Sequence, residues 1–174
     1  MSDRRNDAHP LGAHSIGMIL RDADATGALA DALARTQPAS AVVHLHGELG
    51  AGKSTLARAW LRALGVTGAI RSPTYTLVER YALRDGGEAL HLDLYRIGSA
   101  GELEFLGLDE AAARLWLVEW PERGLAALPA ADLRVELAVE GDGRRCRLIA
   151  ASPGGRDWLA APDLEDRLRT FPES

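Results

Sequence analysis

Cysteine, long apolar runs and net positive charge are all scarce in this sequence. Its 174 residues include one cysteine, Cys146, which excludes an internal disulfide and favours a reducing, cytoplasmic compartment. No run approaches the ~20 apolar residues of a membrane-spanning helix. Gly12, His14 and Gly17 interrupt the apolar core that a signal peptide would need. The net charge of −5 provides no overall basic field for nucleic acid, so we expect a partner to do any such binding.

The remaining composition is that of an ordinary globular protein. Hydrophobic residues make up 47% of the chain and charged residues 26%. A chain of this length can bury a substantial core within one domain. We therefore predict a poorly ordered polar tail over residues 1–14 and a single domain over residues 15–174.

Lysine is also scarce, since Lys53 is the only lysine among 20 basic residues. It lies in the segment 47–55, GELGAGKST, which fits the G-x-x-x-x-G-K-[ST] pattern of a phosphate-binding loop. The apolar run 41–46 before it and the helical pattern 55–64 after it supply the strand and helix that this motif requires. A compact ammonium fits between phosphate oxygens where a planar guanidinium would be too large.

The chemistry of this loop predicts nucleotide binding. Its three glycines allow the backbone to fold tightly and to turn N–H groups toward an anion. The start of the following helix adds unpaired N–H donors and a partial positive charge. Lys53 is expected to reach the β- and γ-phosphates, and the Ser54 hydroxyl to bind Mg²⁺. The alternative is a glycine-rich turn without a ligand, which the complete motif disfavours.

Two carboxylates could turn this loop into a hydrolytic site. Glu119 ends the apolar run 115–118, which is typical of a Walker B metal-binding element at the carboxyl edge of a sheet. The alternative is a solvated glutamate. Asp93 is predicted in the middle of a strand, where burying an unpaired carboxylate would be costly. It either pairs with Arg96 or, as we favour, enters the site to orient or deprotonate water or to hold a metal-bound water.

Several other side chains leave alternatives open. His44 and His46 alternate on a strand and could hold a metal, but no cysteine or carboxylate beside them completes a site. Trp120 could be a stacking surface or part of the core, and Arg144 lies at a predicted turn from which it could reach a ligand. Four hydroxyls form either a switch segment that senses the γ-phosphate or an ordinary turn and strand: Ser72, Thr74, Tyr75 and Thr76.

Residue periodicity predicts alternating helices and strands. Strands are predicted at 15–20, 41–46, 75–81, 90–95, 115–118, 133–139 and 145–150. Turns at 85–87 and 140–144 join two hairpins, so part of the sheet should be antiparallel. Helices are predicted from Asp22 or Asp24 to Arg35, at 55–64, after a capping box at Ser99, from Asp109 to about Arg114, and at 158–171 with a break near Pro162.

Five stretches of the chain resemble, in order and spacing, the bacterial TsaE (YjeE) ATPases, which take part in making threonylcarbamoyladenosine in tRNA. The stretches are 47–55, 72–79, 91–96, 102–107 and 117–121, and they span about residues 20–150. Many families share the phosphate loop. The SPTYT block at 72–76 and the VEWP block at 118–121 are together far more specific.

This resemblance implies an α/β, three-layer P-loop NTPase-like fold with a mixed, partly antiparallel central sheet. It implies ATP and Mg²⁺ as cofactors, with Mg²⁺ held by Ser54 and Glu119, and it matches Asp93 to an aspartate needed for activity. The residues implied to hold the phosphates are Gly50, Ala51, Gly52, Lys53, Ser54 and Thr55. Further nucleotide contacts are implied near Ala23 and Arg144. Ala23 departs from the acidic residue expected there, so its contact would come from the backbone.

The resemblance also implies partners. These are TsaB and TsaD, the proteins that transfer the threonylcarbamoyl group, with tRNA bound only indirectly. ATP hydrolysis would reset that complex, and it would be slow in the isolated chain. Two other functions stay open. One is a small-molecule P-loop kinase, which the predicted hairpin after Glu119 disfavours because a kinase needs an acceptor pocket and usually an arginine-bearing lid. The other is a nucleotide-dependent binding module with negligible catalysis.

Overall fold

The computed structural model describes residues 14–108 and 113–174. The predicted tail lies outside this part of the chain except for His14. Most of the helix predicted from Asp109 also lies outside it, and Ala113 and Arg114 begin a strand instead. The described residues form one seven-stranded sheet with helices packed against it.

The sheet is parallel at its centre and antiparallel at both edges. Its strands are β1 (Ser15–Leu20), β2 (Ala41–His46), β3 (Val78–Ala82), β4 (Glu88–Asp93), β5 (Ala113–Glu119), β6 (Leu133–Glu140) and β7 (Gly143–Ala150). They lie in the order β1-β7-β6-β2-β5-β4-β3. Strands β6, β2, β5 and β4 run parallel, whereas β7, β1 and β3 pair antiparallel with their neighbours. The expectation of a mixed, partly antiparallel sheet is therefore confirmed.

The described residues form four α-helices, and all except the second begin at a side-chain cap or a proline. They are α1 (Ala23–Thr36), α2 (Lys53–Ala63), α3 (Pro153–Leu159) and α4 (Pro162–Leu168). Asp22 caps α1, because its Oδ1 accepts a hydrogen bond from the Ala25 N–H at 2.8 Å. The break predicted near Pro162 is present, since Pro162 starts α4, but the helix predicted at 158–171 begins earlier, at Pro153, and ends earlier, at Leu168. No helix in the described part of the chain is long and apolar enough to span a bilayer.

The core has two parts, one on each face of the sheet. All four α-helices pack on one face, where residues such as Leu33, Trp60 and Trp158 meet Val43 and Leu117 of the strands. On the other face, 3₁₀ helices at Ala100–Leu106, Pro121–Arg123 and Leu125–Ala127 form a thinner layer over β4 and β5. These layers place the sheet in the middle of three, in agreement with the expected fold.

Three further local predictions were wrong, two at strand ends and one at a helix cap. The strand predicted over 75–81 begins only at Val78, because Leu77 N–H bonds to the Pro73 carbonyl and closes a turn. Strand β4 ends at Asp93 and not at residue 95, because the Asp93 side chain accepts the Tyr95 N–H at 3.0 Å. Ser99 forms no side-chain cap, although Glu102 does accept the Gly98 N–H at 3.0 Å.

Candidate functional site

The candidate site lies where three neighbouring parallel strands end. Strand β2 leads into the loop 47–52, β5 ends at Glu119 and β4 ends at Asp93. The β4–β5 register places Asp93 directly beside Glu119. Ligands of open α/β sheets collect at this carboxyl edge. The topology therefore brings the predicted loop and both predicted carboxylates together.

The loop 47–52 adopts a conformation that requires glycine. Gly47 has φ +148°, and a Cβ atom there would collide with the Leu137 carbonyl oxygen of β6. Gly52 has φ +104° and is the N-cap of α2. Helix α2 therefore starts at Lys53, two residues before the predicted start, and its free N–H groups face the loop. This backbone is suited to an anionic ligand.

Lys53 is 4% exposed and is held by the loop itself. Its Nζ donates hydrogen bonds to the carbonyls of Gly47 at 2.5 Å and Glu48 at 2.9 Å, and it lies 4.3 Å from the centre of the Trp120 ring. Burial lowers the pKa of Lys53, and the negative charges of Glu119 and Asp93 oppose that change. The ammonium thus lies inside the loop with two carboxylates nearby.

Ser54 and Glu119 contact each other directly. The Ser54 hydroxyl lies 2.9 Å from both carboxylate oxygens of Glu119, to which it can donate. Glu119 is only 2% exposed. A second donor reaches its Oε1 from His91, whose Nε2 lies 2.7 Å away. A hydroxyl and a carboxylate side by side are hard oxygen ligands, which Mg²⁺ prefers.

Asp93 faces the same cleft at 6% exposure. Its Oδ1 accepts the Tyr95 N–H, and its Oδ2 lies 3.5 Å from the Thr74 hydroxyl, at the outer limit of a hydrogen bond. The described residues include no ion pair between Asp93 and Arg96, since the Arg96 guanidinium lies over the Tyr75 ring at 4.7 Å. Asp93 therefore retains acceptor capacity toward the cleft.

Arg144 connects the β6–β7 hairpin to the loop. Its guanidinium donates to the carbonyls of Ala51 at 3.1 Å, Gly50 at 3.2 Å and its neighbour Gly143 at 2.8 Å. Arg144 thus lies beside the loop, where the prediction that it contacts a ligand requires it to be. Its guanidinium nitrogens, however, are bonded to backbone oxygens.

Two adjoining clefts collect most of the predicted site residues. The first has a volume of about 440 Å³. Its lining consists of Leu49, Gly50, Gly52, Lys53, Ser54, Thr55, Thr74, Asp93, Tyr95, Arg96, Glu119, Trp120 and Arg144. The second, of about 210 Å³, shares Gly52, Thr55 and Arg144 with it and includes Ala23, the first residue of α1. Ala51 lines neither cleft, because it is 1% exposed in the core.

The hydroxyl segment, residues 72–76, and Trp120 border the site. Both adjoin or include a residue with a left-handed backbone conformation. Thr74 lines the first cleft and lies 2.7 Å from the Ser72 hydroxyl, whereas Tyr75 is 82% exposed. Leu77, at the end of this segment, has φ +64°, and its carbonyl accepts the Asp93 N–H. Trp120 has φ +55° and lies 4.9 Å from Tyr95 between ring centres, so it lines the cleft.

His44 and His46 lie apart from this cleft. Their rings are 6.4 Å apart, and the Glu122 carboxylate lies 3.6 Å from His46. No group of three or more histidine, cysteine or acidic side chains in residues 14–108 and 113–174 is arranged to hold a metal. Burial, together with the neighbouring His46, lowers the pKa of His44 to about 4. The two histidines thus show no metal cluster.

A larger cleft, of about 680 Å³, lies along β1 and α4. Arg147, Glu165 and Phe171 are among its lining residues, and it shares none with the two clefts at the loop. Size alone would select it, but it has no glycine loop, helix start or buried carboxylate. We therefore place the candidate site at the loop.

His91 is a residue at the site that the sequence analysis did not identify. It is fully buried and contacts Glu119 of β5. It lies on β4, the strand that also carries Asp93. The signal was present in the order His91-Leu92-Asp93, because alternate residues of a strand face the same side. Its contact partner lies 28 residues away on β5, so only the pairing of β4 with β5 identifies it.

Comparisons with known proteins agree with this geometry. The family model described as threonylcarbamoyl adenosine biosynthesis protein TsaE matches residues 20–147. The tRNA threonylcarbamoyladenosine biosynthesis protein TsaE of Haemophilus influenzae is 42% identical over 122 residues, covering 69% of this chain and 77% of that protein. The protein of the same name from Synechocystis is 39% identical over 126 residues, covering 68% and 78%.

A solved structure extends the similarity to the fold. The crystal structure of YdiB from Bacillus subtilis superposes with a TM-score of 0.72 at 25% sequence identity. The superposition covers 91% of this chain and 97% of that one. The similarity in fold therefore extends over most of the chain and not only over the loop 47–55.

Proposed function

Because this chain belongs to the TsaE family and so to the biosynthesis of threonylcarbamoyladenosine in tRNA, we propose that it binds and hydrolyses ATP with Mg²⁺ in the cleft at residues 47–55. The observation that carries this proposal is the convergence of Lys53, Ser54, Glu119 and Asp93 on one cleft at the carboxyl edge of the sheet. The cytoplasm is the proposed compartment.

The phosphates bind to the loop and to the first turn of α2. Backbone N–H groups of residues 50–55 face the anion, and Lys53 exchanges its bonds to the Gly47 and Glu48 carbonyls for phosphate oxygens. The second cleft, next to Ala23, has room for part of the nucleoside, and contact there comes from the backbone since alanine offers no polar side chain. Arg144 keeps the loop carbonyls turned away from the phosphates.

Ser54 and Glu119 fit a magnesium site. Their oxygens lie 2.9 Å apart, and Glu119 is nearly inaccessible except toward the cleft. Mg²⁺ usually takes one or two protein oxygens and completes its shell with phosphates and water, which this donor set allows. An ion held there would neutralise charge that develops on the phosphates during transfer.

Asp93 orients the attacking water. Its Oδ1 is fixed by the Tyr95 N–H, which leaves Oδ2 to accept a proton or a hydrogen bond from a water near the γ-phosphate. Thr74, at 3.5 Å from Oδ2, is placed to respond to the presence of that phosphate. The hydroxyl segment is therefore the part of the chain that we assign to nucleotide sensing.

Hydrolysis should be slow until partners bind. Arg144 is engaged by loop carbonyls and Arg96 by the Tyr75 ring, so the described arginines of the cleft are not free to act on the γ-phosphate. An arginine supplied by a partner is typically worth about 10³–10⁵ in rate. TsaB and TsaD, which transfer the threonylcarbamoyl group, are the proposed partners, and ATP hydrolysis resets their complex.

Measurement of phosphate release tests this function. The isolated chain should turn over ATP well below about 1 per second, and adding TsaB and TsaD should increase the rate by at least about tenfold. The matched control is the same mixture with Mg²⁺ removed by chelation, which should abolish the increase. Turnover of about 1 per second or more by the isolated chain would contradict partner dependence.

The two alternatives predict different products. A small-molecule kinase transfers the γ-phosphate to an acceptor, so labelled phosphate would appear in an organic product and not in free phosphate. A binding module would bind ATP tightly and release no phosphate with or without partners. Appearance of free phosphate that depends on the partners would exclude both.

A further inference from the structure

His91 is a buried polar residue that does not itself reach the cleft. It is 0% exposed and is not among the residues that line either cleft at the loop. It lies on β4 two residues before Asp93 and contacts Glu119 diagonally across the β4–β5 pair. His91 therefore lies behind Glu119, on the side away from the nucleotide.

The Glu119 carboxylate has two donors, one on each side. Ser54 lies on the cleft side, 2.9 Å from both oxygens, and His91 lies on the core side, 2.7 Å from Oε1. A glutamate side chain has three rotatable bonds, so a single donor leaves its orientation poorly defined. The core-side donor is the one that a ligand in the cleft cannot displace.

The environment of the imidazole indicates what His91 contributes. With its proton on Nε2 the ring donates to Glu119, whereas the other neutral tautomer would place a lone pair against the carboxylate. Its Nδ1 is buried without a hydrogen-bond partner among the residues that the structure describes. An apolar side chain would pack well beside Ala89, Leu115 and Leu117, so the ring is unfavourable here except for its bond to Glu119.

We propose that His91 is a positioning residue that holds the Glu119 carboxylate in the orientation in which Glu119 and Ser54 together receive Mg²⁺ at the nucleotide. This inference rests on the proposed function. Partners behind a metal-binding side chain typically contribute 10- to 100-fold to metal affinity, about the effect expected here. His91 touches neither nucleotide nor metal, so it acts only through Glu119.

Three variants of the full-length chain separate positioning from general packing. His91→Leu removes the hydrogen-bond donor and puts an apolar side chain of similar size in its place. His91→Gln restores an amide N–H at a comparable reach. His44→Leu is the matched control, because His44 is also a buried strand histidine, at 5% exposure, but does not contact Glu119.

Calorimetric titration with a non-hydrolysable ATP analogue, with Mg²⁺ and with chelator, gives the readout. Analogue affinity without metal should stay within about twofold of the wild type in all three variants. The gain in affinity on adding Mg²⁺ should fall by about 10- to 100-fold in His91→Leu, recover in His91→Gln and stay unchanged in His44→Leu. An unchanged Mg²⁺ gain in folded His91→Leu would overturn the positioning role.

Two further measurements decide the matter if His91→Leu does not fold. His91→Asn carries the same amide on a side chain too short to reach Glu119, so it should lose the Mg²⁺ gain that His91→Gln keeps; equal gains would overturn the proposal. In the wild type, nitrogen NMR should show His91 protonated on Nε2, with resonances that shift on adding Mg²⁺ with the analogue but not the analogue alone. The absence of that shift would also overturn it.

The wild-type titration distinguishes this inference from the proposed function. If the wild type bound the analogue equally well with and without Mg²⁺, the proposed magnesium site would fail, and the role of His91 would fail with it. If the wild type showed the Mg²⁺ gain and the His91 variants kept it, only the role of His91 would fail.

Discussion

Lys53 is the residue whose replacement most directly tests nucleotide binding. Lys53→Ala removes the ammonium that we assign to the phosphate oxygens, so ATP affinity should fall by about 10- to 100-fold. Calorimetric or fluorescence titration measures the change. Lys53→Arg is the matched control for charge, and it should also bind weakly because a guanidinium is too large for the loop.

Because Lys53 is the only lysine, chemical labelling gives an independent check on the same residue. An amine-directed reagent can modify only this side chain and the N-terminus, and ATP should protect the side chain. Labelling of Lys53 that is equally fast with and without ATP, or wild-type affinity in Lys53→Ala, would contradict its assigned role.

Asp93→Asn separates binding from hydrolysis. The amide keeps the size of the side chain and can still accept the Tyr95 N–H, so ATP affinity should change little. Partner-stimulated phosphate release should fall by at least about 100-fold, because the amide cannot take up a proton. Asp85→Asn, in the exposed β3–β4 turn, is the control and should hydrolyse normally. Unchanged hydrolysis in Asp93→Asn would remove Asp93 from the mechanism.

The β6–β7 hairpin supports the loop 47–52 through Arg144. Arg144→Ala removes the donors to Gly50 and Ala51, so amide hydrogen exchange across 47–52 should accelerate and ATP affinity should fall by about tenfold. Arg145→Ala is the matched control, because that side chain is 57% exposed and pairs with Glu140. Equal exchange rates in the two variants would show that Arg144 does not hold the loop.

Elements with strong periodicity could be predicted from the sequence, whereas their ends depended on contacts from elsewhere. Strands β1 and β2 have the predicted bounds, since each is a short, mainly apolar run whose limits are set locally. The end of β4 could not be predicted, because Asp93 turns its carboxylate back to Tyr95 while its N–H bonds to Leu77, sixteen residues earlier. Asp93 was therefore expected in the interior of a strand, whereas it is the last residue of β4.

The cleft depends on the order of the strands in the sheet. The sequence supplied the loop, Glu119 and Asp93 as separate candidates, and the order β2-β5-β4 brings them together. Strand order and register arise from pairing between distant segments, which residue patterns do not encode locally. For the same reason the contact of His91 with Glu119 could not be predicted from the sequence, although both residues can be read there.

The burial of His44, on the central strand β2, predicts how the free energy of unfolding depends on pH. Burial, with the neighbouring His46, lowers the pKa of His44 to about 4, compared with about 6.5 in the unfolded chain. The unfolded state therefore binds the proton first. The free energy of unfolding therefore keeps its full value above pH 6.5, where His44 is neutral in both states. As the pH falls toward 4, protonation of His44 in the unfolded state lowers it by about 2–3 kcal/mol.

Urea unfolding at pH 7.5 and pH 4.5 measures this effect. The free energy of unfolding should fall less between these two values in His44→Leu than in the wild type, by about 2 kcal/mol. His14→Leu serves as the control for the loss of a histidine, because His14 is exposed. An identical loss of stability in His44→Leu and the wild type would contradict the assignment.

The backbone at Leu77 and Trp120 has a consequence for how partners act on this chain. Each is a non-glycine residue with a left-handed backbone, which costs about 1–3 kcal/mol. Leu77 bonds to Asp93 and Trp120 follows Glu119, so both carboxylates adjoin backbone held away from its preferred conformation. A partner that let either residue relax would recover that conformational energy as binding energy and would, in the same step, move a carboxylate.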